Sequence, residues 1–548
     1  MNETQVAVLI VGGGLSGLAA SLFLRQQGVD CRLIERSTST SQLLRSTHVS
    51  SRTLELFRTV GIQKAIHDVA EKVILGENWT RSDLPPHQLP RVILRARSLQ
   101  DVADGDVIVM EAGTDDFTEV SPAEPVWCGQ DRVEPIMVRE AERRGARISF
   151  TTEMTSFSQD SVGVTATVRD RTTGAEQVIR AQYLIAADGA GGKIRPSLGI
   201  GRTGNGTAGH VLNVLFEADL DSILGGRRFL ILYLSHPDAP GMLFKLDEKR
   251  WIFGLFCGPE EIADGRLSHA ECANLIRTAT GVADLEIRVD STLGWWMAHE
   301  IADSYRSGRV FLVGDACHVL PPTGGFGANA GIQDSSNLAW KLAGVLNGWA
   351  APELLDTYET ERRPVGQATA DQAWLRHERW SGPGGDGLGQ QVHQTVITTG
   401  YRYLAGALVG GTSTDVLNPE LNLDGSPGSR LPHAWLSLNG RRLSSLDLTG
   451  EAFVLLAGPH GAAWTEAADR IADRLGIPLR AHLVGPDCEL SDVGGAFLDA
   501  SGIGGHGALL VRPDGFVGWR SAIAVQDADE TLHEVLRTMT ARAEVPAT

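Results

Sequence analysis

Continuous and alternating apolar patterns follow each other along this chain and set out its elements. Val6 to Val11 is an unbroken apolar run, as in a strand covered on both faces of a parallel sheet. After Gly12-Gly13-Gly14-Leu15-Ser16-Gly17, the stretch Leu18 to Gln27 has helical periodicity, Gly28 ends it, and a second short strand runs from Cys31 to Ile34. Further buried strands are predicted at Tyr183–Ala187, ending at Asp188-Gly189, and at Arg309–Val313, ending at Gly314-Asp315. Gln130 to Arg144 reads as a helix, and Thr165–Arg169 with Glu176–Arg180 reads as a hairpin turning at Thr173-Gly174. From about 200 to 295 the strands are longer and less continuously apolar, as in a mixed sheet with one covered face. Examples are His210–Glu217, Phe229–Leu234, Gly241–Lys245 and Arg250–Phe256. Helices are predicted over 332–346 and 351–379. The Gly-rich stretch 381–387 marks a linker, and a separate C-terminal unit follows: strand, helix, strand, and a hairpin turning at Pro513-Asp514-Gly515.

The first strand, glycine turn, helix and second strand carry a phosphate-binding signature. The turn is G-x-G-x-x-G, and Glu35 stands about twenty residues after it at the end of the second strand. Gly12 permits the tight turn, Gly14 removes a side chain where a pyrophosphate must approach, and Gly17 lets the helix pack on the strand. The helix N-terminus offers free N–H groups and positive dipole to phosphate, and Glu35 can accept from a ribose hydroxyl. A dinucleotide site is expected here.

Composition narrows the partners. With 67 acidic and 49 basic residues in 548, the net charge of −18 repels phosphate backbones and anionic membranes. No nucleic-acid or membrane partner is therefore expected. None of Cys31, Cys128, Cys257, Cys272, Cys317 and Cys488 stands at C-x-x-C spacing, so neither a zinc ribbon nor a dithiol is expected, and the metal complement is expected to be none. Sparse cysteine, no basic–apolar leader and no apolar run long enough to span a bilayer lead to the expectation of a cytoplasmic protein.

Three segments stand in order: GGGLSG at 12–17, YLIAADGAGGKIR at 183–195, and GRVFLVGDACHVLPPTGGFGANAGIQDSSNLAWKLAGVL at 308–346. On them, residues 5–375 resemble the group A FAD-dependent aromatic hydroxylases with the para-hydroxybenzoate hydroxylase fold. The stretches 432–450 and 508–521 resemble the thioredoxin-like tail of actinomycete aromatic polyketide hydroxylases of the anthracycline and angucycline type. The resemblance implies an α/β fold: a Rossmann-like FAD-binding domain, an inserted β-rich substrate domain, and a thioredoxin-like C-terminal α/β domain lacking C-x-x-C. The expected boundaries are 1–76, 107–182 and 296–380 for the first, 77–106 and 183–295 for the second, 381–404 as linker, and 405–548 for the third.

The resemblance also implies site roles. Gly12, Gly14, Gly17, Glu35 and Arg36 match the ADP-binding turn. Arg45 borders flavin and substrate, and Gln130 meets the ribityl chain. Asp188 and Gly189 lie near the pyrophosphate, and Asp315 binds ribityl hydroxyls. Pro322, Gly325, Gly327, Ala328 and Asn329 form the loop and helix start beside the isoalloxazine. Arg45, Pro322 and Gly325 position the flavin for catalysis, and no protein nucleophile is required. Phe326 and Ala328 stand where many relatives carry Gln and Met. The implied cofactors are non-covalent FAD, transient NAD(P)H and O2, which form a flavin C4a-hydroperoxide that attacks an electron-rich aromatic carbon. The expected substrate is a polycyclic aromatic polyketide, and the expected assembly a monomer or homodimer.

Aromatic residues of the β-rich layer are expected to line the cavity: Phe229, Leu232, Tyr233, Phe244, Phe253, Phe256, Trp295 or Trp296, with Pro322 and Phe326 from the loop. His318, Cys317 and His48 are expected to serve packing, and Arg376 and Arg379 a solvated helix face, with substrate contact as the sharper reading for Arg376 and Arg379. Alternatives on the same scaffold are a Baeyer–Villiger or epoxidising oxygenase, an antibiotic-inactivating monooxygenase, and a flavoprotein that sequesters an unstable intermediate.

Overall fold

The computed structural model describes residues 3–41, 48–74, 91–113, 117–224, 229–246, 249–262, 266–381 and 389–543. The first sheet is built on Glu3–Val11, which pairs in parallel with Glu176–Ala186 on one side and Cys31–Ile34 on the other. Val310–Leu312 extends it in parallel beside Glu176–Ala186, and Arg147–Ser149 closes the other edge. Parallel pairing sends these strands' C-terminal ends to one side, so Gly12, Asp188 and Gly314 converge there, the side where open α/β sheets bind ligands. Helices Leu15–Gln26 and Gly327–Leu346 pack against each other on this sheet.

The second sheet has eight strands. Its two longest strands, Arg202–Glu217 and Arg288–Ala302, pair antiparallel, and Glu300–Ile301 pairs with the edge strand His318–Val319. One face is covered by helices Leu99–Asp104 and His269–Thr280 over a core that includes Val214, Phe216, Leu232, Trp251 and Phe253. The other face buries Val211, Met242 and Met297 and leaves Tyr233, Phe244, Phe256 and Trp295 half-buried.

Several boundaries differ from the pattern reading. Ile108–Gly113 pairs with Arg91–Ala96 in the second sheet, so that layer extends past 106. Tyr183–Ala186 belongs to the first sheet, and Arg288–Ala302 runs unbroken through 295/296. Periodicity identifies a strand but not the sheet it joins. Segment 389–404 is no free linker: Val392, Val396 and Ile397 pack on Phe326 and Ala373, and Tyr401 and Tyr403 pack on Val365 and Phe516. The glycine-rich stretch 382–388 lies outside the described residues.

In the C-terminal unit, Phe453–Ala457 pairs in parallel with Leu479–Gly485 through helix Ala462–Leu475. It pairs antiparallel with Ala508–Val511, which pairs with Val517–Ser521 before helix Ala528–Met539. This βαβ–ββα order is thioredoxin-like. Gly458-Pro459-His460-Gly461 occupies the turn between the first strand and helix. Among the described residues, no helix is long and apolar enough to cross a membrane.

Candidate active site

The glycine turn is held by Glu35. Its Oε2 accepts from the Gly13 N–H at 2.6 Å and its Oε1 from Ser37 N–H at 2.7 Å, tying the turn to the end of the second strand. Gly12 has φ +111°, and a Cβ there would overlap the Ala187 carbonyl. A Cβ at Gly17 would overlap the Gly12 carbonyl, so Gly17 is required by helix–strand packing. Gly14 differs: a Cβ there would meet nothing closer than Glu134 Oε1 at 3.9 Å, so the missing side chain leaves open space. No side chain caps the helix that Gly14 opens, and its first turn has no acid. Its leading N–H groups are therefore disposed toward an anion. Arg36 is exposed, and its carbonyl accepts from Arg171.

The second loop supplies Asp188. Its Oδ2 accepts from Ile194 N–H at 3.0 Å, while Oδ1 is buried without a hydrogen-bond partner. Burial raises this carboxyl's pKa above the usual range. A buried oxygen left in need of a donor suits a ligand hydroxyl or phosphate-bound water at this loop. Gly189 next to it is open, with nothing within 4 Å of an added Cβ. Arg202 clasps the two loops: its Nη1 donates to the Ala190 carbonyl at 3.1 Å and its Nη2 to the Asp315 carbonyl at 2.9 Å. Asp315 itself is exposed, on a short turn after Val310–Leu312.

Beside the start of helix Leu15–Gln26, a small cleft is lined by Leu15, His48, Cys128, Gln130, Ala328 and Asn329, among others. Gln130 donates to Glu134 at 2.6 Å, and Glu134 accepts from Ser41 N–H at 2.8 Å. Asn329 is the organising side chain. Its Oδ1 accepts from Ser50 N–H at 2.9 Å and Thr53 Oγ1 at 2.7 Å, and its Nδ2 donates to the His48 and Gly325 carbonyls at 3.0 and 2.8 Å. Its side chain therefore fixes the loop, which leaves only its backbone for a cofactor. Pro322 is exposed, and its carbonyl accepts from Gly325 N–H at 2.9 Å to close the loop turn. Gly325 has φ +66° and packs beside His48, whose ring lies 4.9 Å from Trp127. Gly327 has open space where a Cβ would stand, and Ala328 is half-buried. Arg45 lies outside the described residues.

The turn, the underpartnered Asp188 and the open glycines fit a dinucleotide.

The expected substrate residues divide by strand parity. Tyr233, Phe244, Phe256 and Trp295 share the second sheet's face opposite helices Leu99–Asp104 and His269–Thr280. Phe229, Leu232 and Phe253 instead belong to the helix-covered core, where Phe229 lies 6.3 Å from Trp251. Trp296 alternates away from Trp295 and is 40% exposed. Phe326 is buried against Ala373, Val392, Val396 and Ile397, beneath the loop rather than in the cleft. Phe229, Leu232, Phe253 and Phe326 thus joined cores elsewhere while Trp296 turned outward, and composition carries no sign of which way each side chain points.

Behind the loop, His318 Nε2 lies 2.7 Å from Asp334 Oδ2, and Arg362 Nε donates to Asp334 Oδ1 at 2.8 Å, all fully buried. Burial opposes ionisation of Asp334, but His318 and Arg362 outweigh it and bring its pKa down to about 2. Cys317, His318 and Asp334 present ligand atoms close together, yet Arg362 holds the second carboxylate oxygen, and the cluster reads as a hydrogen-bonded brace. Burial pushes the Cys317 thiol well above its usual pKa, so it behaves as a small packed residue. Arg376 is buried, not solvated: it donates to the Val392 carbonyl at 2.6 Å and lies over Phe326. Arg379 bonds Gln391 and the Gly389 carbonyl.

Pattern reading missed a buried ionic cluster joining the tail to the cofactor unit. Arg512 donates to both oxygens of Glu361, at 2.9 and 2.7 Å, and Lys341 donates to Glu361 at 2.8 Å. Asn337 donates to Glu361 and Asp514, and Arg52 donates to the Asp514 carbonyl. The available signal was Lys341 within the otherwise apolar Leu338-Ala339-Trp340-Lys341-Leu342.

Fold and site together define a dinucleotide-binding flavoprotein with a separate apolar aromatic face. Residues 5–373 match the FAD binding domain family, and residues 424–543 match the aromatic-ring hydroxylase C-terminal family. The chain is 48% identical to tetracenomycin A2 monooxygenase-dioxygenase of Streptomyces glaucescens, over 99% of this chain and 98% of that protein. It is 38% identical to an aklavinone 12-hydroxylase of Streptomyces purpurascens, over 98% and 99%. Among solved structures, it matches aklavinone-11 hydroxylase in ternary complex with FAD and aklavinone at TM-score 0.87 and 36% identity, over 99% of this chain and 100% of that one. The chain belongs to the FAD-dependent aromatic-ring hydroxylases, and FAD is its cofactor.

Proposed function

We propose that this enzyme uses NAD(P)H and O2 to hydroxylate a polycyclic aromatic polyketide intermediate in antibiotic biosynthesis. One observation carries the reading. The aromatic face, with Tyr233, Phe244, Phe256 and Trp295 half-buried, belongs to a sheet whose edge strand His318–Val319 runs directly into the Pro322–Gly325 loop. A flat ligand on that face has one end at the loop. The aklavinone complex of the structural relative supports a substrate of this size and shape.

Bound flavin supplies the redox and oxygen-activation chemistry. The chain's residues do the rest. The Gly12–Gly17 turn and Asp188 hold the dinucleotide, and Asp315 is offered to its ribityl hydroxyls. The start of helix Gly327–Leu346 directs its positive end toward the ring side of the cleft. Asn329 fixes Gly325 against the His48–Ser50 segment, so the loop keeps its shape while the apolar sheet face keeps water from the reacting carbon. Consumption of NAD(P)H on addition of a tetracyclic hydroxyquinone, with a hydroxylated product, tests the reading. Addition that leaves NAD(P)H unconsumed would favour the sequestering flavoprotein instead.

A second reading rests on the two relatives at 48% identity, both named monooxygenase-dioxygenases. On it, more than one oxygen atom enters each product molecule, and product mass separates the two.

A further inference from the structure

Among the described residues, the second sheet's face opposite helices Leu99–Asp104 and His269–Thr280 holds two buried polar atoms without a partner. Asn213 Oδ1 and Trp295 Nε1 are both buried and without a hydrogen-bond partner. They are neighbours across the central pair: Val211 faces Trp295 and Asn213 faces Leu293, so the two side chains lie on one diagonal of the same face. On the other side Asn213 faces Gly254, where an added Cβ would come within 3.1 Å of Asn213 Oδ1. Trp251 and Trp340 also have unpartnered indole N–H groups, but each is 1% exposed in a closed core. Trp295 is half-buried on the sheet face opposite helices Leu99–Asp104 and His269–Thr280. Leaving a buried amide oxygen unpaired is costly, and an apolar residue would avoid that cost.

We infer that Asn213 and Trp295 form a polar anchor for the substrate: one phenolic hydroxyl donates to Asn213 Oδ1 and accepts from Trp295 Nε1. A phenol oxygen does both at once, which suits a complementary acceptor and donor the chain leaves apart. The anchor lies well along the strand from the Ile301–His318 pairing, at about 3.3 Å per residue. Holding one ring at this point of the sheet sets which ring of the substrate reaches the flavin loop. Asn213 is a specificity residue in this account. The inference rests on the sheet face being the substrate site.

The test uses FAD-loaded full-length enzyme and two probes, 2-hydroxyanthraquinone, whose hydroxyl is free of the quinone carbonyls, and unsubstituted anthraquinone, with dissociation constants read from fluorescence quenching. Wild type is expected to bind the phenol about tenfold more tightly than its parent, the gain of one well-made hydrogen-bonded group. Asn213→Leu is expected to bind both alike and to melt no lower than wild type, since it removes an unpaired buried amide. Trp295→Phe, which deletes the N–H and keeps an aromatic ring, is expected to lose part of the preference. An unchanged preference in Asn213→Leu, or equal binding of both probes by wild type, overturns the anchor alone. Wild type that binds neither probe overturns the sheet face as the substrate site, and the anchor with it.

Discussion

Arg512 grips Glu361 through two parallel hydrogen bonds, with both side chains fully buried, although they stand 151 residues apart and in different units. Glu361 also takes Lys341, on the helix that begins at the flavin loop, and Asn337 of that helix reaches Asp514 beside Arg512. The tail thus packs into the cofactor unit through a charge cluster. Removing Arg512 leaves Glu361 to Lys341 and Asn337 and takes the guanidinium from Asp514, and breaking such a buried charge cluster costs about 3–5 kcal/mol. Arg512→Ala is expected to lower the stability of the whole chain by that amount in urea denaturation. A loss confined to the tail would contradict the cluster's role as a bridge.

The same cluster sets an acid limit. Burial opposes ionisation of Glu361, but Arg512 and then Lys341 outweigh it and bring its pKa down to about 2. A carboxylate whose folded pKa is depressed contributes stability above its unfolded pKa, near 4.5, and loses it as pH falls toward 2. About 3 kcal/mol is expected to disappear over that window. Glu361→Gln, measured by denaturation at several pH values, should be less stable at neutral pH and flatter through the window.

Two glycines of one turn should respond differently. Gly17→Ala drives a methyl group into the Gly12 carbonyl and is expected to cost about 2 kcal/mol or more without cofactor. Gly14→Ala meets open space, so its stability cost should stay within about 1 kcal/mol while the FAD dissociation constant rises about tenfold. Equal FAD affinity in Gly14→Ala and wild type would remove the pyrophosphate from this position.

Asp315 is exposed in the structure, so Asp315→Ala should leave the cofactor-free protein as stable as wild type. A charge-assisted hydrogen bond to a ribityl hydroxyl is worth roughly 1.5–3 kcal/mol, and the FAD dissociation constant should rise accordingly. Isothermal titration with FAD measures it, and an unchanged constant would sink the assignment. Acid precipitation should release the flavin, because it is held without a covalent bond.

Asn329→Ala removes four hydrogen bonds that tie Gly325 and helix Ser51–Thr59 together. A cost of about 2–4 kcal/mol is expected. If any holoenzyme remains, more of its NAD(P)H should end as free hydrogen peroxide. Unchanged coupling would show that the loop keeps its shape without this residue.

What the chain's sequence revealed was mostly local. Gly12, Gly14, Gly17 and Glu35 sit within one strand–turn–helix–strand unit, so spacing alone located the dinucleotide turn. Asp188 and Gly314 could be read because continuous apolar strands end at them. The aromatic lining was legible only in half. Tyr233 and Trp295 face the open side while Phe229 and Phe253 join the covered core, a distinction that depends on which helices cross the sheet. Arg512 and Glu361 were hidden for a different reason: their partnership is entirely long-range, and each reads alone as an ordinary surface charge.

The central claim is that this fold inserts oxygen from O2 into a polycyclic aromatic ring. FAD-loaded enzyme, NAD(P)H, isotopically heavy O2 and a tetracyclic hydroxyquinone, followed by mass spectrometry of the product, tests it directly. The account predicts a product carrying the heavy isotope as an added ring hydroxyl, formed only when NAD(P)H is consumed. A product whose new oxygen comes from water, or NAD(P)H consumption that yields only hydrogen peroxide and unchanged substrate, would contradict it.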